Sequence, residues 1–228
     1  MCGRYFLTTP GEVLAELFET PAPPEEVALA IRPRFNIAPS QEVPIVRATA
    51  TGTRELSLVR WGLVPHWAKD PAIGNRLINA RSESVAGKPS FRDSFRKRRC
   101  LVPADGYFEW QNVGGAKQPW AFRLKSAEPM ALAGIWSAWN DPQGGGLLES
   151  CAILTTAPNE LAATVHDRMP VILPAARRGD WLDAATPGEA LAGFLAALPA
   201  TEMLAYPVGR KVGNPRNDSP ELIEPLPG

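Results

Sequence analysis

The chain has 228 residues, 45% of them hydrophobic, enough for one sizeable core or two small ones and too few for more, and it reads as one domain. Its apolar stretches are broken by Gly, Pro or charge before 18 residues, and its start lacks a basic region followed by an apolar run. That pattern excludes a membrane span and a secretory leader and points to a cytoplasmic protein. With 24 basic and 24 acidic residues the net charge is zero, and Cys2, Cys100 and Cys151 are too scattered for a disulfide framework or a metal knuckle.

In chain order, Thr9-Pro10-Gly11-Glu12 has the pattern of a capping box with Pro at the first helical position, and Val13, Leu14, Leu17 and Phe18 supply an apolar face. This predicts one short helix. Short β-rich runs follow at residues 43–49, 54–60, 99–102, 120–125, 131–139 and 151–156, separated by Gly and Pro. Trp181 and residues 189–198 return to a helical pattern, and the Pro- and Asn-rich tail, 212–228, is expected to be extended. Strands and helices do not alternate regularly, so the fold class is α+β and β-rich. Residues 20–25, 111–117 and 141–146 have surface-loop composition. Between Arg76 and Arg99, eight basic residues, Lys88 among them, face only Glu83 and Asp93. Such a run is a solvated face or an anion-binding surface.

Cys2 draws attention through processing, because removal of Met1 exposes it as a new N-terminus carrying both an α-amine and a thiol. An α-amine with a pKa of about 7.7–8.0 is roughly one quarter unprotonated at pH 7.4 and attacks a carbonyl without strong activation. The neighbouring thiol can then close on the imine carbon, converting a reversible Schiff base into a durable five-membered thiazolidine. His166 stands in Thr164-Val165-His166-Asp167-Arg168-Met169-Pro170, where an imidazole beside an acid and a guanidinium can move protons near neutral pH. The other histidine, His66, sits among aromatics and fits a structural role. Strand alternation places Glu109 on the face of Tyr107, opposite Phe108 and Trp110, where partial desolvation would raise its pKa and suit it to act as a general acid. Asn79, in Ile78-Asn79-Ala80-Arg81-Ser82-Glu83, can orient an amine or a sugar, or serve as a turn residue.

Met1-Cys2-Gly3-Arg4-Tyr5, Asn79-Ala80-Arg81-Ser82-Glu83, Pro103-Ala104-Asp105-Gly106-Tyr107-Phe108-Glu109-Trp110 and His166-Asp167-Arg168-Met169-Pro170 together resemble the signature of the SOS response-associated peptidase (SRAP) family. Asn36-Ile37-Ala38-Pro39, Trp61-Gly62-Leu63 and the tail resemble further family segments, so the likeness spans nearly the whole chain. The resemblance implies a single domain over 1–228 with mixed sheets, a barrel-like core and a few surrounding helices. It implies an autoprocessing cysteine peptidase that removes its own Met1 and crosslinks covalently to abasic sites in single-stranded DNA, with lyase-like activity. It further implies a monomer without cofactor, metal or membrane, working near the nucleoid and replication forks in the DNA damage response.

Carried over by residue, Cys2 would form the thiazolidine with C1′ of the opened deoxyribose and Asn79 would position its amine. Glu109 would protonate the ring oxygen, and His166 would shuttle protons. Arg4, Arg81 and Arg168 match positions that hold DNA phosphates, and Thr155 matches one near the flipped-out sugar. Pro39 matches half of an apolar wedge beside the lesion. Trp67 would be the other half, although Ala68 stands where some members have a second Trp and residues 69–76 run longer. The basic stretch containing Lys88 would track the strand, with Arg96 to Arg99 only partly involved.

Two other readings compete: a general cysteine peptidase built on Cys2, His166 and Asn79, and a non-catalytic binder of modified nucleic acid. The α-amine discriminates, since a thiol peptidase needs only sulfur. No Cys or His pair has zinc-ligand spacing.

Overall fold

The computed structural model describes residues 2–227, so the expected removal of Met1 lies outside the described residues. In chain order the strands are β1 (Arg4–Leu7), β2 (Arg34–Ile37), β3 (Glu42–Ala48), β4 (Arg54–Trp61), β5 (Asn79–Arg81), β6 (Arg99–Ala104), β7 (Gly106–Val113), β8 (Ala116–Leu124), β9 (Met130–Asn140), β10 (Leu147–Thr156), β11 (Met169–Pro170) and β12 (Met203–Pro207). The helices are α1 (Gly11–Leu17), α2 (Glu25–Ala30), α3 (Arg92–Lys97), α4 (Glu160–Ala163), α5 (Ala175–Leu182) and α6 (Gly188–Leu191).

Five strands close on themselves in the order β10-β4-β3-β6-β9, because β9 pairs back onto β10. This closed barrel is the β-rich core expected from the sequence. β3 and β4 form an antiparallel hairpin with Val43 opposite Val59 and Val46 opposite Leu56, while β10 runs parallel to β4. Val46, Leu101, Ala133, Ile135 and Ile153 are completely buried. Gly134 lies on β9 where a Cβ would sit 2.9 Å from the Cys100 Sγ, so close packing at this point requires glycine. Beyond the barrel, β10 also carries β5 in parallel and β11 antiparallel.

The remaining strands form an antiparallel sheet in the order β12-β8-β7-β1-β2. Alternation divides its faces. Tyr5, Tyr107 and Phe122 join the main core, whereas Phe6, Phe108 and Ala121 pack under Val208, Val212 and Leu222 of the C-terminal region. The tail is therefore not simply extended: 3-10 turns at Arg210–Gly213 and Pro220–Ile223 deliver Val212 and Leu222 to that face.

Three other local expectations differ from the structure. The first helix begins one residue late, with Pro10 at its cap and no side-chain cap bond. Thr9 instead donates its hydroxyl to buried Asp105 at 2.7 Å, and Asp105 also accepts from the amides of Thr8 and Thr9. Val13 is 48% exposed, so the buried face comes from Leu14 and Phe18. Residues 111–117 are not loose but form the β7–β8 hairpin, turned by Gly114 (φ 58°) and Gly115 (φ 86°). Arg99 is buried, donating to the carbonyls of Trp181, Phe95, Arg96 and Asp183, so it belongs to the core rather than to a strand-tracking surface.

Candidate active site

Cys2 enters the fold just before β1, whose antiparallel register with β7 sets Arg4 opposite Phe108 and Tyr5 opposite Tyr107. The residue is fully buried. Burial drives its thiol far above the ordinary cysteine value, and the nearby Glu109 carboxylate pushes it the same way. Its carbonyl accepts a hydrogen bond from Asn79 Nδ2 at 2.7 Å. Asn79 is thus a strand residue rather than a turn residue, opening β5 opposite Ile153 of β10. Its buried Oδ1 has no hydrogen-bond partner among the described residues.

Glu109 lies on β7 at 3% exposure, and desolvation raises its carboxyl to about 7. A second segment presents His166 to it. Asn159 caps α4 by accepting from the Ala162 amide at 2.8 Å, and the His166 amide bonds back to the Ala162 carbonyl at 2.9 Å. Gln111, two residues beyond Glu109 on β7, donates to the Thr164 carbonyl at 2.8 Å and so ties this turn to the strand. His166 Nε2 then stands 3.7 Å from Glu109 Oε2. Its Nδ1 accepts the Arg168 amide at 3.1 Å and also lies 2.8 Å from Asp167 Oδ1. One nitrogen cannot accept from the amide and donate to the acid at once. Because the Asp167 side chain is 85% exposed and the amide is fixed, we assign the neutral tautomer with its proton on Nε2, toward Glu109. Burial lowers the His166 pKa, which agrees with a neutral ring.

Thr155, at the end of β10, is fully buried and its Oγ1 has no hydrogen-bond partner among the described residues. Its carbonyl accepts from the Ser82 amide and from Arg168 Nη2. Arg168 also makes a two-pronged pair with Glu83 at 2.6 and 2.9 Å, which holds that carboxyl down at about 2. Arg81, opposite Thr155 in the β5–β10 register, is exposed, as is Lys88. Arg4 is half-buried, with its guanidinium donating to Asn36 Oδ1 and to the Val212 and Gly213 carbonyls. It anchors the tail as it stands.

Pro39 lies in a turn where Ser40 has φ 72°, and Ser40 reaches Asn75 at 3.1 Å. Asn75 belongs to the long segment after Trp67. That segment folds back because Gly62 and Gly74 meet backbone to backbone; a Cβ on either would lie 2.7 or 2.5 Å from the other's carbonyl oxygen. Trp67 emerges from it 49% exposed, while Ala68 is buried and accepts from Trp139 Nε1 through its carbonyl. His66 is exposed rather than packed among aromatics.

Cys2, Asn79, Glu109 and His166 therefore converge, with Thr155, Arg81 and Arg168 on the adjoining ends of β10 and β5 and beyond β10. Sequence reasoning passed over Gln111, which lacks a motif of its own, and Tyr107. The latter was findable, since alternation already put it on the face of Glu109; its buried hydroxyl has no hydrogen-bond partner among the described residues. No group of three or more His, Cys, Asp or Glu among the described residues is arranged to hold a metal. No helix among them is long and apolar enough to cross a membrane. Chemically, the cluster offers a sulfur nucleophile beside a carboxyl poised to exchange protons near neutrality and a neutral imidazole in contact with that carboxyl.

The family model for SOS response associated peptidase (SRAP) matches residues 1–215. The abasic site processing protein YoqW of Bacillus subtilis (strain 168) is 41% identical over 228 residues, covering 98% of this chain and 99% of that protein. The abasic site processing protein YedK of Escherichia coli (strain K12) is 31% identical over 234 residues, covering 99% and 100%. A crystal structure of a protein from Bacteroides thetaiotaomicron superposes with a TM-score of 0.91 at 25% identity, covering 99% of this chain and 100% of that one.

Proposed function

Because this chain belongs to the SOS response associated peptidase family, we propose that it processes abasic sites in single-stranded DNA by bonding covalently through Cys2. The observation that carries the reading is the Asn79 amide on the Cys2 carbonyl, with Glu109 close enough to perturb the Cys2 thiol and His166 in contact with Glu109. Removal of Met1 by the protein itself frees the α-amine. Glu109, protonated below about pH 7, gives its proton to the ring oxygen of the abasic deoxyribose as the ring opens to the aldehyde. The amine attacks C1′, and the carbinolamine loses water to give a Schiff base, His166 relaying protons to and from Glu109. The Cys2 sulfur then bonds to C1′ while its proton passes to nitrogen, closing the thiazolidine. Asn79 holds the Cys2 backbone so that amine and sulfur face the same carbon. Reversal by the same groups returns the aldehyde and the free amine, whereas lyase-like cleavage would branch from the Schiff base, by loss of a C2′ proton and departure of the 3′-phosphate.

A general cysteine peptidase is the weaker reading. Such a mechanism needs an accessible thiolate paired with imidazolium, whereas here burial and Glu109 both disfavour the thiolate, and burial also disfavours the imidazolium form of His166. Exposed Arg81 and Lys88 would meet phosphates, and exposed Trp67 would stack on a base at about 1–3 kcal/mol.

Intact-mass measurement of mature protein after incubation with a single strand carrying one abasic site tests the chemistry. The expected adduct equals protein plus strand minus one water. A stable adduct from the Cys2→Ala variant would refute it. Arg81→Ala is expected to weaken binding of every single strand and to shrink the slope of log affinity against log salt by about 0.7. An unchanged slope would remove Arg81 from the contact surface.

A further inference from the structure

Far along the chain from the Cys2 cluster, a buried cation is only partly satisfied. Arg178, in the second turn of α5, is only 8% exposed, yet its guanidinium makes a single 3.4 Å hydrogen bond, to the Leu17 carbonyl. It rests 4.9 Å over the Phe18 ring, and its buried Nε has no hydrogen-bond partner among the described residues. A guanidinium carries five donors, and leaving them unmet away from water is costly.

Arg178 lines a cavity of about 380 Å³ whose apolar wall comes from Ala131, Ile172, Leu173 and Leu198. That volume is at the small end of ligand pockets, which run from about 300 to 1,000 Å³. The start of α5 forms part of the rim through Pro174 and Ala175, and it has neither a side-chain cap nor an acid in its first turn. Its positive dipole end is left open. Glu128 also lines the cavity and acts on Arg178 more strongly than Glu19 does, Arg54 opposing both, though Glu128 and Arg178 form no ion pair among the described residues. Lys125 and Glu202 complete the charged lining, giving two cations against two anions.

We propose that this cavity binds a free aliphatic α-amino acid, with its carboxylate on Arg178 and the open start of α5, its ammonium on Glu128, and its side chain against the apolar wall. Charge balance selects the zwitterion. A simple carboxylate on Arg178 would bring the lining to a net charge of minus one, with Lys125 alone facing Glu128 and Glu202, and a hydrocarbon would leave the guanidinium unsatisfied. The buried wall residues Ala131, Ile172, Leu173 and Leu198 suit a branched aliphatic side chain.

Calorimetric titration of the full chain with L-leucine, 4-methylpentanoate and 3-methylbutylamine separates these chemistries. Leucine is expected to bind saturably, and the analogues lacking either charge at least tenfold more weakly. Exposed Glu128 can be changed without disturbing the core. Glu128→Gln should weaken leucine at least tenfold while leaving 4-methylpentanoate unaffected, and Arg178→Gln should weaken both. Absence of saturable leucine binding, or equal binding of leucine and 4-methylpentanoate, would overturn the proposal. Abasic-site crosslinking, measured in the same Glu128→Gln sample, should be unchanged, so the two proposals stand or fall separately.

Discussion

An uncleavable extension ahead of Cys2 is expected to reduce the covalent adduct with abasic single strands below detection, although every side chain of the site remains. The extension turns the α-amine into an amide, whose nitrogen lone pair is delocalised into the carbonyl and no longer attacks an aldehyde. The Cys2 thiol persists, but sulfur alone gives only a reversible hemithioacetal, which denaturing electrophoresis would dissociate. A peptidase relying on sulfur, or a binder relying on Arg81 and Trp67, would be far less affected. Non-covalent affinity for the same strand, measured at equilibrium, should stay within a few fold of the mature protein. If the extended protein crosslinked at the mature rate, the chemistry assigned to the amine would be wrong.

Replacing Glu109 with Gln is expected to slow crosslinking by about 10²–10⁴-fold, the usual worth of a positioned general acid. The pH profile gives the more specific signature. The α-amine must be unprotonated, so the rate rises with pH toward about 8. Glu109 must be protonated, so the rate falls as pH climbs through about 7. Mature wild type should therefore show a bell with its maximum between 7 and 8, and Glu109→Gln only the rising limb. Stability should move in the opposite direction. Burial raises the folded-state value from 4.5 to about 7, so the folded chain holds the proton more tightly than the unfolded chain does. The resulting destabilisation is absent below about pH 4.5, grows between 4.5 and 7, and is complete above 7. Thermal melts should show Glu109→Gln more stable than wild type at pH 8, with the gap closing at pH 4. A variant that kept the falling limb would assign that proton to another group.

Much of this geometry was legible in the sequence, and the exceptions share a cause. Alternation around Glu109 put it with Tyr107 and against Phe108 and Trp110, and β7 separates those residues onto two faces in that way. The long barrel strands β3, β4, β9 and β10 announced themselves as short apolar and aromatic runs separated by Gly and Pro. β1 and β2 did not, because four residues such as Arg4–Leu7 carry no period, and their pairing is decided by β7 and by distant Asp105 gripping Thr8 and Thr9. The hairpin at 111–117 looked loose because its exposed residues are polar; the information lay in two consecutive glycines. The tail at 212–228 read as extended since its burial depends on Phe6 and Phe108, some hundred or more residues earlier. Cys2, Asn79, Glu109 and His166 could be named from their types, whereas the bond from Gln111 to the Thr164 carbonyl, which seats His166, depends on a side chain whose type suggests nothing.

One strand, β10, touches β4, β5, β9 and β11, and through β5 and β11 it sets the places of Asn79, Arg81 and the segment leading from Arg168. A nascent or partly unfolded chain has the same free cysteine but no assembled partners for it. Its sulfur would meet stray aldehydes unaided, its amine still held in the bond to Met1, without an acid to open a sugar or an amide to aim the attack. Pairing of β10 with β5 and β11 is therefore also what brings Asn79, Arg81 and the Arg168 segment to one place, so these residues share a neighbourhood only in a chain that has finished folding.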